Sequence, residues 1–324
     1  TSDQQRHWPS VKAVWKKLKE NDDLYKKEYE GLYCVGCEAF ITKKDLEDGF
    51  CRIHKKKPEI VKEENWFFKL SRYSEKVRDA IESGKLRIVP ESRKHEMLEF
   101  IKEGLQDVSF SRPRKNLQWG VPVPGDGTST IYVWADALVN YLSALGYPNG
   151  ENFKKYWPAD VHVVGKDILR FHATIWPAML LSLGIELPKT IFVHGYLTVD
   201  GQKMSKTIGN VVDPIPLIEK YGADAVRYFL LREIPSAEDG DFTEEKFEER
   251  YNAYLASGLG NLVARLLTLP GNSFKNLNLH IQDKQLNDAI VLLKQKYSKI
   301  LDNFKFNEAL EQIWAIISLC DKHI

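Results

Sequence analysis

The sequence predicts an α/β protein in which a parallel sheet of doubly wound type gives way to an all-α bundle. Two observations carry this. Three short apolar runs, at 131–134, 161–164 and 191–193, alternate with helical patterns. Apolar strands separated by helices mark a parallel sheet covered on its faces, with right-handed crossovers. After Asp213-Pro214 the strand pattern stops and apolar residues recur at intervals of three and four, which is the stripe of a packed helix.

Taken in order, residues 11–18 read as an amphipathic helix ending near Asn21. From about Tyr29 to Phe110 the chain is charged and carries three of its four cysteines near its start, so it reads as a module of its own. The strand at 131–134 leads into a helix bearing Ala137, Leu138, Tyr141, Leu142 and Leu145 that stops at Gly146. The strand at 161–164 breaks at Gly165, and a helix follows from about Ile168 to Leu183, with Pro177 a point for a kink. Beyond the strand at 191–193, residues 217–231 are helical, and three longer helices follow from about Glu244. They carry Leu255, Leu259, Leu262 and Leu266; then Leu286, Ile290, Leu293, Tyr297 and Ile300; then Ala309, Ile313, Ile316, Ile317 and Cys320. Cys320 falls on such a stripe and reads as a small core residue.

Composition narrows the classes. At 324 residues the chain holds two or three domains. A net charge of +1 gives no global nucleic-acid footprint, so any RNA contact must be local. No apolar run is long enough to span a bilayer. The start at Thr1 is polar, without the apolar core of a signal peptide. Four cysteines outside any secretory pattern point to a reducing, cytoplasmic compartment and to a metal before disulfides.

Cys34-x2-Cys37 is followed, after 13 residues, by Cys51-x2-His54. Two knuckles of two ligands each suit tetrahedral Zn²⁺, and a closed Cys3His set leaves no position for substrate, so such a zinc is structural. Three free thiols and an unrelated histidine are the plain alternative, and the neighbouring Lys55-Lys56-Lys57 admits a nucleic-acid finger.

In doubly wound sheets ligands bind beyond the carboxyl ends of the strands. The residues leaving the three expected strands are Trp134, the Gly165–Asp167 turn and His194-Gly195. Trp134, Ala137 and Tyr141 share one side of a helix, and Ile168 and His172 stand one turn apart on another. Together they make an apolar slot with two polar tips, a shape for an unbranched thioether; on periodicity alone they read as ordinary core. Lys203 and Lys206, three apart in a loop opened by Gly201, are point charges suited to a polyphosphate. Without their flanks they read as solvated surface.

Gly201-Gln202-Lys203-Met204-Ser205-Lys206 resembles the "KMSKS" loop of class I aminoacyl-tRNA synthetases. Tyr132-Val133-Trp134-Ala135-Asp136-Ala137, Gly165-Lys166-Asp167-Ile168-Leu169-Arg170-Phe171-His172, Glu28-Tyr29-Glu30-Gly31-Leu32-Tyr33-Cys34, and Ser109-Phe110-Ser111-Arg112 with Trp119-Gly120 are similar to motifs of the methionyl-tRNA synthetase family. The likeness runs in order along the whole chain. It implies the second half of a Rossmann-like catalytic domain with an inserted zinc-bearing connective domain, then a helical bundle. Residues 1–28 would close the first Rossmann half, 29–110 form the connective domain, 111–195 the second half, 196–250 the lysine loop and a stem-contact region, and 251–324 a truncated anticodon-binding bundle.

The resemblance further implies that Trp134, Ala137, Leu138, Tyr141, Ile168 and His172 line a methionine pocket. Many members carry proline where Leu138 stands. Gly165 and Asp167 would hold the adenosine ribose, with His194 and Gly195 beside the nucleotide. Lys203 and Lys206 would stabilise charge on the α-phosphate and departing pyrophosphate. Asn261 and Arg265, one helical turn apart, would read the anticodon of tRNA(Met); otherwise they are a surface pair supporting the helix. Methionine, ATP with Mg²⁺ and tRNA are the implied substrates. The family's "HIGH" loop has no counterpart, since no His-x-Gly-His string occurs. A missing N-terminal segment is therefore an implied partner, and the 324 residues alone are expected to be inactive. A synthetase for another apolar amino acid, or a non-catalytic zinc-containing tRNA-binding module, are the rival readings.

Overall fold

The computed structural model describes residues 2–36, 39–41, 45–53, 55–204, 209–268 and 283–323. The chain divides into two compact units, one of Thr1–Arg87, Lys94–His162 and Ile168–Ile191, the other of Ile88–Arg93, Val163–Asp167 and Phe192–Ile324.

The first unit opens with the helix His7–Glu20, whose Val11, Val14, Trp15 and Leu18 are buried on one face. Burial of such side chains contributes about 1.5–3 kcal/mol each. Lys17 and Lys19 sit in the last turn, complementing the dipole, and the Asn21 N–H closes the helix on the Lys17 carbonyl at 3.0 Å. The charged region that follows is built on a long antiparallel pair. Leu24–Cys34 runs against Glu59–Phe68 from Leu24↔Phe68 to Tyr33↔Glu59, with Ala39–Ile41 and Val108–Ser109 at the edges. A small hairpin joins Leu46–Glu47 to Phe50–Cys51. Its two-residue turn is Asp48-Gly49, both at positive φ, the pairing that matches strand twist.

The expected parallel strand at 131–134 is not one. Ile131 ends an antiparallel strand, Asp126–Ile131, that lies between Ser111–Pro113 and Pro122–Val123, and the helix Val133–Ala137 starts two residues later. The apolar run joined a strand's end to a helix's start, while the strand's own residues are mostly polar. The helix expected to follow is two short ones, Val133–Ala137 and Asn140–Ser143. The next element is also segmented: a tight turn at Lys166–Ile168, a wide-pitched π turn at Phe171–Ile175, then the α-helix Trp176–Leu183, which Gly184 ends at φ 69°. Pro177 stands in the first turn of that last segment, where its missing N–H costs little; the departure from α pitch is the π turn before it.

The parallel sheet has Thr190–His194 between Val161–Gly165 and Arg87–Val89. The Lys189 N–H bonds the Ala159 carbonyl and the Arg87 N–H bonds the Lys189 carbonyl, both at 2.9 Å. All three strands therefore leave one edge in the same direction.

In the second unit a hairpin, Leu197–Val199 with Gln202–Lys203, takes Gly240–Asp241 as a parallel neighbour. The helices Pro214–Tyr221 and Ala223–Glu233 close over a core of Leu217, Val226, Phe229, Phe242 and Phe247. The expected long helices follow: a run from Glu244 to Thr268 with a wide-pitched middle at Tyr251–Gly260, then Lys284–Asp302 and Phe306–His323. Cys320 is half-buried on the last of these, short of the sealed core expected of it. Among the described residues no helix is long and apolar enough to cross a membrane.

Candidate active site

In the first unit Trp134, held by the short helix Val133–Ala137, stacks on Phe171 with ring centroids 3.9 Å apart and planes within 11°. Tyr141, from the next short helix, donates its hydroxyl to His172 Nε2 at 2.8 Å. That direction follows from the other nitrogen. Nδ1 lies 2.9 Å from the Ile168 carbonyl, which only accepts, so Nδ1 carries the proton. Burial holds His172 below its ordinary pKa and Tyr141 above its own, keeping both neutral. Behind them His162 packs on the Tyr141 ring at 4.1 Å and accepts from Trp176 Nε1 at 3.2 Å. Burial, with His172 beside it, lowers its pKa to about 4. Ala137 and Ile168 are half-buried, whereas Leu138 is 1% exposed. The structure thus joins Tyr141, Ile168 and His172 directly and adds Phe171, His162 and Trp176, which the sequence reading left unassigned. His162 carried no signal in the sequence: in Val161–Gly165 the fold buries His162 and Val164 and exposes Val161 and Val163, against what hydropathy suggests.

In the second unit Gly165 precedes an exposed Asp167 whose carboxylate folds back over it. A Cβ at Gly165 would stand 2.7 Å from Asp167 Oδ1. His194 Nδ1 donates to the Gly195 carbonyl at 2.7 Å. Gly195 is required by a close approach, since a Cβ there would overlap the Glu238 carbonyl. The same passage brings Asp239 to the Tyr196 N–H at 2.8 Å and to Lys166 Nζ at 2.7 Å. Lys166 and Lys203 each place Nζ against the Tyr196 ring, at 4.4 and 4.3 Å from its centroid. Such cation–π contacts contribute about 0.5–1 kcal/mol at exposed sites. Burial and the charges of Asp167 and Asp239 raise the Tyr196 pKa, while the Lys166 ammonium lowers that of Asp239. Lys203 owes its position to the hairpin, whose turn, Asp200-Gly201, has both residues at positive φ and is pinned when Asp241 accepts from the Gly201 N–H at 2.8 Å and the Thr198 hydroxyl at 2.6 Å. Lys206, the second expected lysine, lies outside the described residues.

Of the metal ligands expected, Cys37 and His54 also lie outside the described residues. Cys34 ends its strand and Cys51 ends the small hairpin; both are buried. The Cys51 N–H bonds the Lys56 carbonyl at 2.9 Å and the Lys55 N–H bonds the Cys51 carbonyl at 2.8 Å. Among the described residues no three metal-ligating side chains gather. Asn261 and Arg265 begin and follow one turn of the helix Asn261–Thr268, and Arg265 pairs with Asp321 at 2.8 Å.

A parallel sheet followed by a lysine-bearing hairpin and a helical bundle is the arrangement expected of a class I tRNA synthetase, and this chain belongs to that family: the model "tRNA synthetases class I (M)" matches residues 1–47 and 37–267. Its relatives include the methionine–tRNA ligase of Caldanaerobacter subterraneus subsp. tengcongensis, 47% identical over 325 residues covering 98% of this chain and 51% of that protein. The methionine–tRNA ligase of Clostridium perfringens is 48% identical over 327 residues, covering 98% and 50%. Among solved structures, Mycobacterium tuberculosis methionyl-tRNA synthetase bound by methionyl-adenylate superposes with a TM-score of 0.89 at 38% identity, covering 98% of this chain and 64% of that one. The chain spans about half the length of the curated relatives it matches.

Proposed function

We propose that the complete protein carrying this chain joins methionine to its tRNA. The observation that carries the reading is the neutral Tyr141–His172 pair, a hydroxyl on an imidazole at 2.8 Å within an aromatic surround. A neutral, polarizable slot favours a thioether over a charged or strongly hydrated side chain. Trp134, Ala137, Leu138, Tyr141, Ile168 and His172 take the methionine side chain. Asp167 accepts from the ribose hydroxyls of ATP, the bare Gly165 lets it do so, and His194 and Gly195 border the nucleotide. The methionine carboxylate oxygen attacks the α-phosphorus; the bond to the bridging oxygen breaks, and its electrons leave with pyrophosphate. Lys203 and Lys206, with Mg²⁺ carried in on ATP, hold the negative charge that grows there. A hydroxyl of the terminal tRNA ribose then attacks the methionyl carbonyl and AMP departs. Asn261 and Arg265 read the anticodon. The work is positioning and charge stabilisation, without a covalent enzyme intermediate, and its place is the cytoplasm, where translation consumes the product.

ATP–pyrophosphate exchange by the complete protein tests this. Exchange driven by methionine and not by leucine is expected; a leucine preference, or tRNA binding with no response to methionine or ATP, overturns it.

Cys34, Cys37, Cys51 and His54 would hold one structural zinc, which ties two hairpin ends together and takes no part in the reaction. The burial of Cys34 and Cys51 supports the assignment. Elemental analysis is expected to give one zinc per chain, lost in Cys51→Ser; a metal-free, fully folded protein removes it.

A further inference from the structure

Two helices too short to hold themselves carry the slot. Val133–Ala137 has five residues and Asn140–Ser143 has four. A single helical turn fixes several dihedrals for one or two hydrogen bonds and is unfavourable alone. The junction at Leu138 and Val139 stays near-helical and is bridged by the Val139 N–H on the Asp136 carbonyl at 3.1 Å, a single-turn link that a tie from outside can reinforce to hold Trp134 and Ala137 against Tyr141. His7, the opening residue of the helix His7–Glu20, touches both. Its Nε2 meets Asp136 Oδ1 at 2.5 Å and its Nδ1 meets Ser143 Oγ at 2.7 Å. His7 and Asp136 are buried, at 3% and 5% exposed. A carboxylate only accepts, so Nε2 donates to Asp136, while Nδ1 and the Ser143 hydroxyl share the second bond. One turn further along the same helix, Ser10 donates to the Tyr147 carbonyl at 2.7 Å, just beyond the second short helix.

We infer that His7 is a positioning residue for the methionine slot: one imidazole, bonded at both nitrogens, staples the helix bearing Trp134 and Ala137 to the helix bearing Tyr141. The inference rests on the slot being the methionine site. Asp136 stands between Trp134 and Ala137 in sequence, and Ser143 two residues beyond Tyr141, so each tie lies within a residue or two of a slot side chain. His7 itself touches no substrate. A buried carboxylate must be hydrogen-bonded to be tolerated, and this one is bonded to the residue that fixes the slot's width.

The test uses the complete protein and the variants His7→Gln, His7→Ala and Ser143→Ala. Gln places an amide donor where Nε2 stands and keeps the Asp136 tie; Ser143→Ala removes only the other tie. The expected result is a rise in KM for methionine of about tenfold or more in His7→Ala and severalfold in Ser143→Ala, with substantial recovery in His7→Gln. KM for ATP and kcat should stay within about twofold. Amide hydrogen exchange at 133–143 should quicken in the same order, without matching change in the sheet at 24–34 and 59–68. His7→Ala leaves a buried carboxylate without its partner and can fail to fold; Ser143→Ala then decides the matter. Unchanged exchange at 133–143, or KM for methionine and ATP rising together, overturns the assignment. If the unmodified protein shows no methionine-dependent activity, the functional reading falls instead, and the exchange pattern still judges the staple.

Discussion

The slot in the first unit and the lysine hairpin in the second hold their side chains by opposite means. In the slot, rings meet rings: Trp134 on Phe171 at 3.9 Å, Tyr141 on His162 at 4.1 Å, and hydrogen bonds run between neutral groups. Around the hairpin, charges meet charges in water. Lys166 and Asp239 pair at 2.7 Å with side chains 26% and 44% exposed, and Asp241 pins the turn from an open position. Close packing fixes a shape before any ligand arrives. Exposed ion pairs are worth little and rearrange cheaply. On the proposed function, a thioether has one shape to be matched and a splitting triphosphate moves its charge, so the rigid part would serve recognition and the adjustable part the migrating charge.

Five experiments break or sharpen that contrast. Lys203→Ala is expected to lower kcat for methionine activation by about 10²–10³-fold, the usual cost of removing one donor to developing charge, with KM for methionine nearly unchanged. A methionine KM that moves as far as kcat ends the division of labour. Next is acid sensitivity. His162 titrates near 4 when folded against about 6.5 unfolded. Between these values the unfolded chain binds more protons, so stability is full above pH 6.5 and declines as the pH falls toward 4. Urea titrations at pH 7 and pH 5 should differ by about 2 kcal/mol from this residue, with His172 adding in the same direction and His162→Phe flattening the dependence. A pH-independent midpoint in the unmodified protein shows the slot to be wetter than its packing implies. Tyr141→Phe leaves His172 Nε2 buried without its donor, a cost of about 1–3 kcal/mol, read as a rise of about tenfold in KM for methionine with kcat preserved. The smallest effect belongs to the bundle. Asp321→Asn removes the partner of Arg265 at a pair 39% and 48% exposed, and is expected to change unfolding stability by less than about 1 kcal/mol. Arg265→Gln should instead blunt discrimination among tRNAs; unaltered discrimination removes its proposed role.

The sequence made some of this legible for physical reasons. The helix His7–Glu20 shows a clean apolar stripe, and the strands at 161 and 190 are short apolar runs bounded by turn residues. The third parallel strand, Arg87–Val89, has three residues and begins with a charge, too brief for any period to register. Asp126–Ile131 shows no strand pattern because glycine, serine and threonine fill it. At the site, resemblance supplied the slot residues and the first lysine. Asp239 and Asp241 could not be found that way: each acts on partners about 40 or more residues earlier in the chain, and no local pattern marks a carboxylate that folding alone delivers. His7 carries no local mark for the same reason, since its partner Asp136 lies 129 residues away.

The π turn at Phe171–Ile175 carries an extra residue in its circuit. Removing one amino acid there would let the segment relax to ordinary α pitch, and every position upstream would swing by about 100° relative to Trp176–Leu183. Phe171 would leave Trp134 and His172 would leave Tyr141, while the apolar helix after them stayed buried. Lineages of this chain should therefore tolerate exchange of side chains in that stretch far more readily than any change in its length.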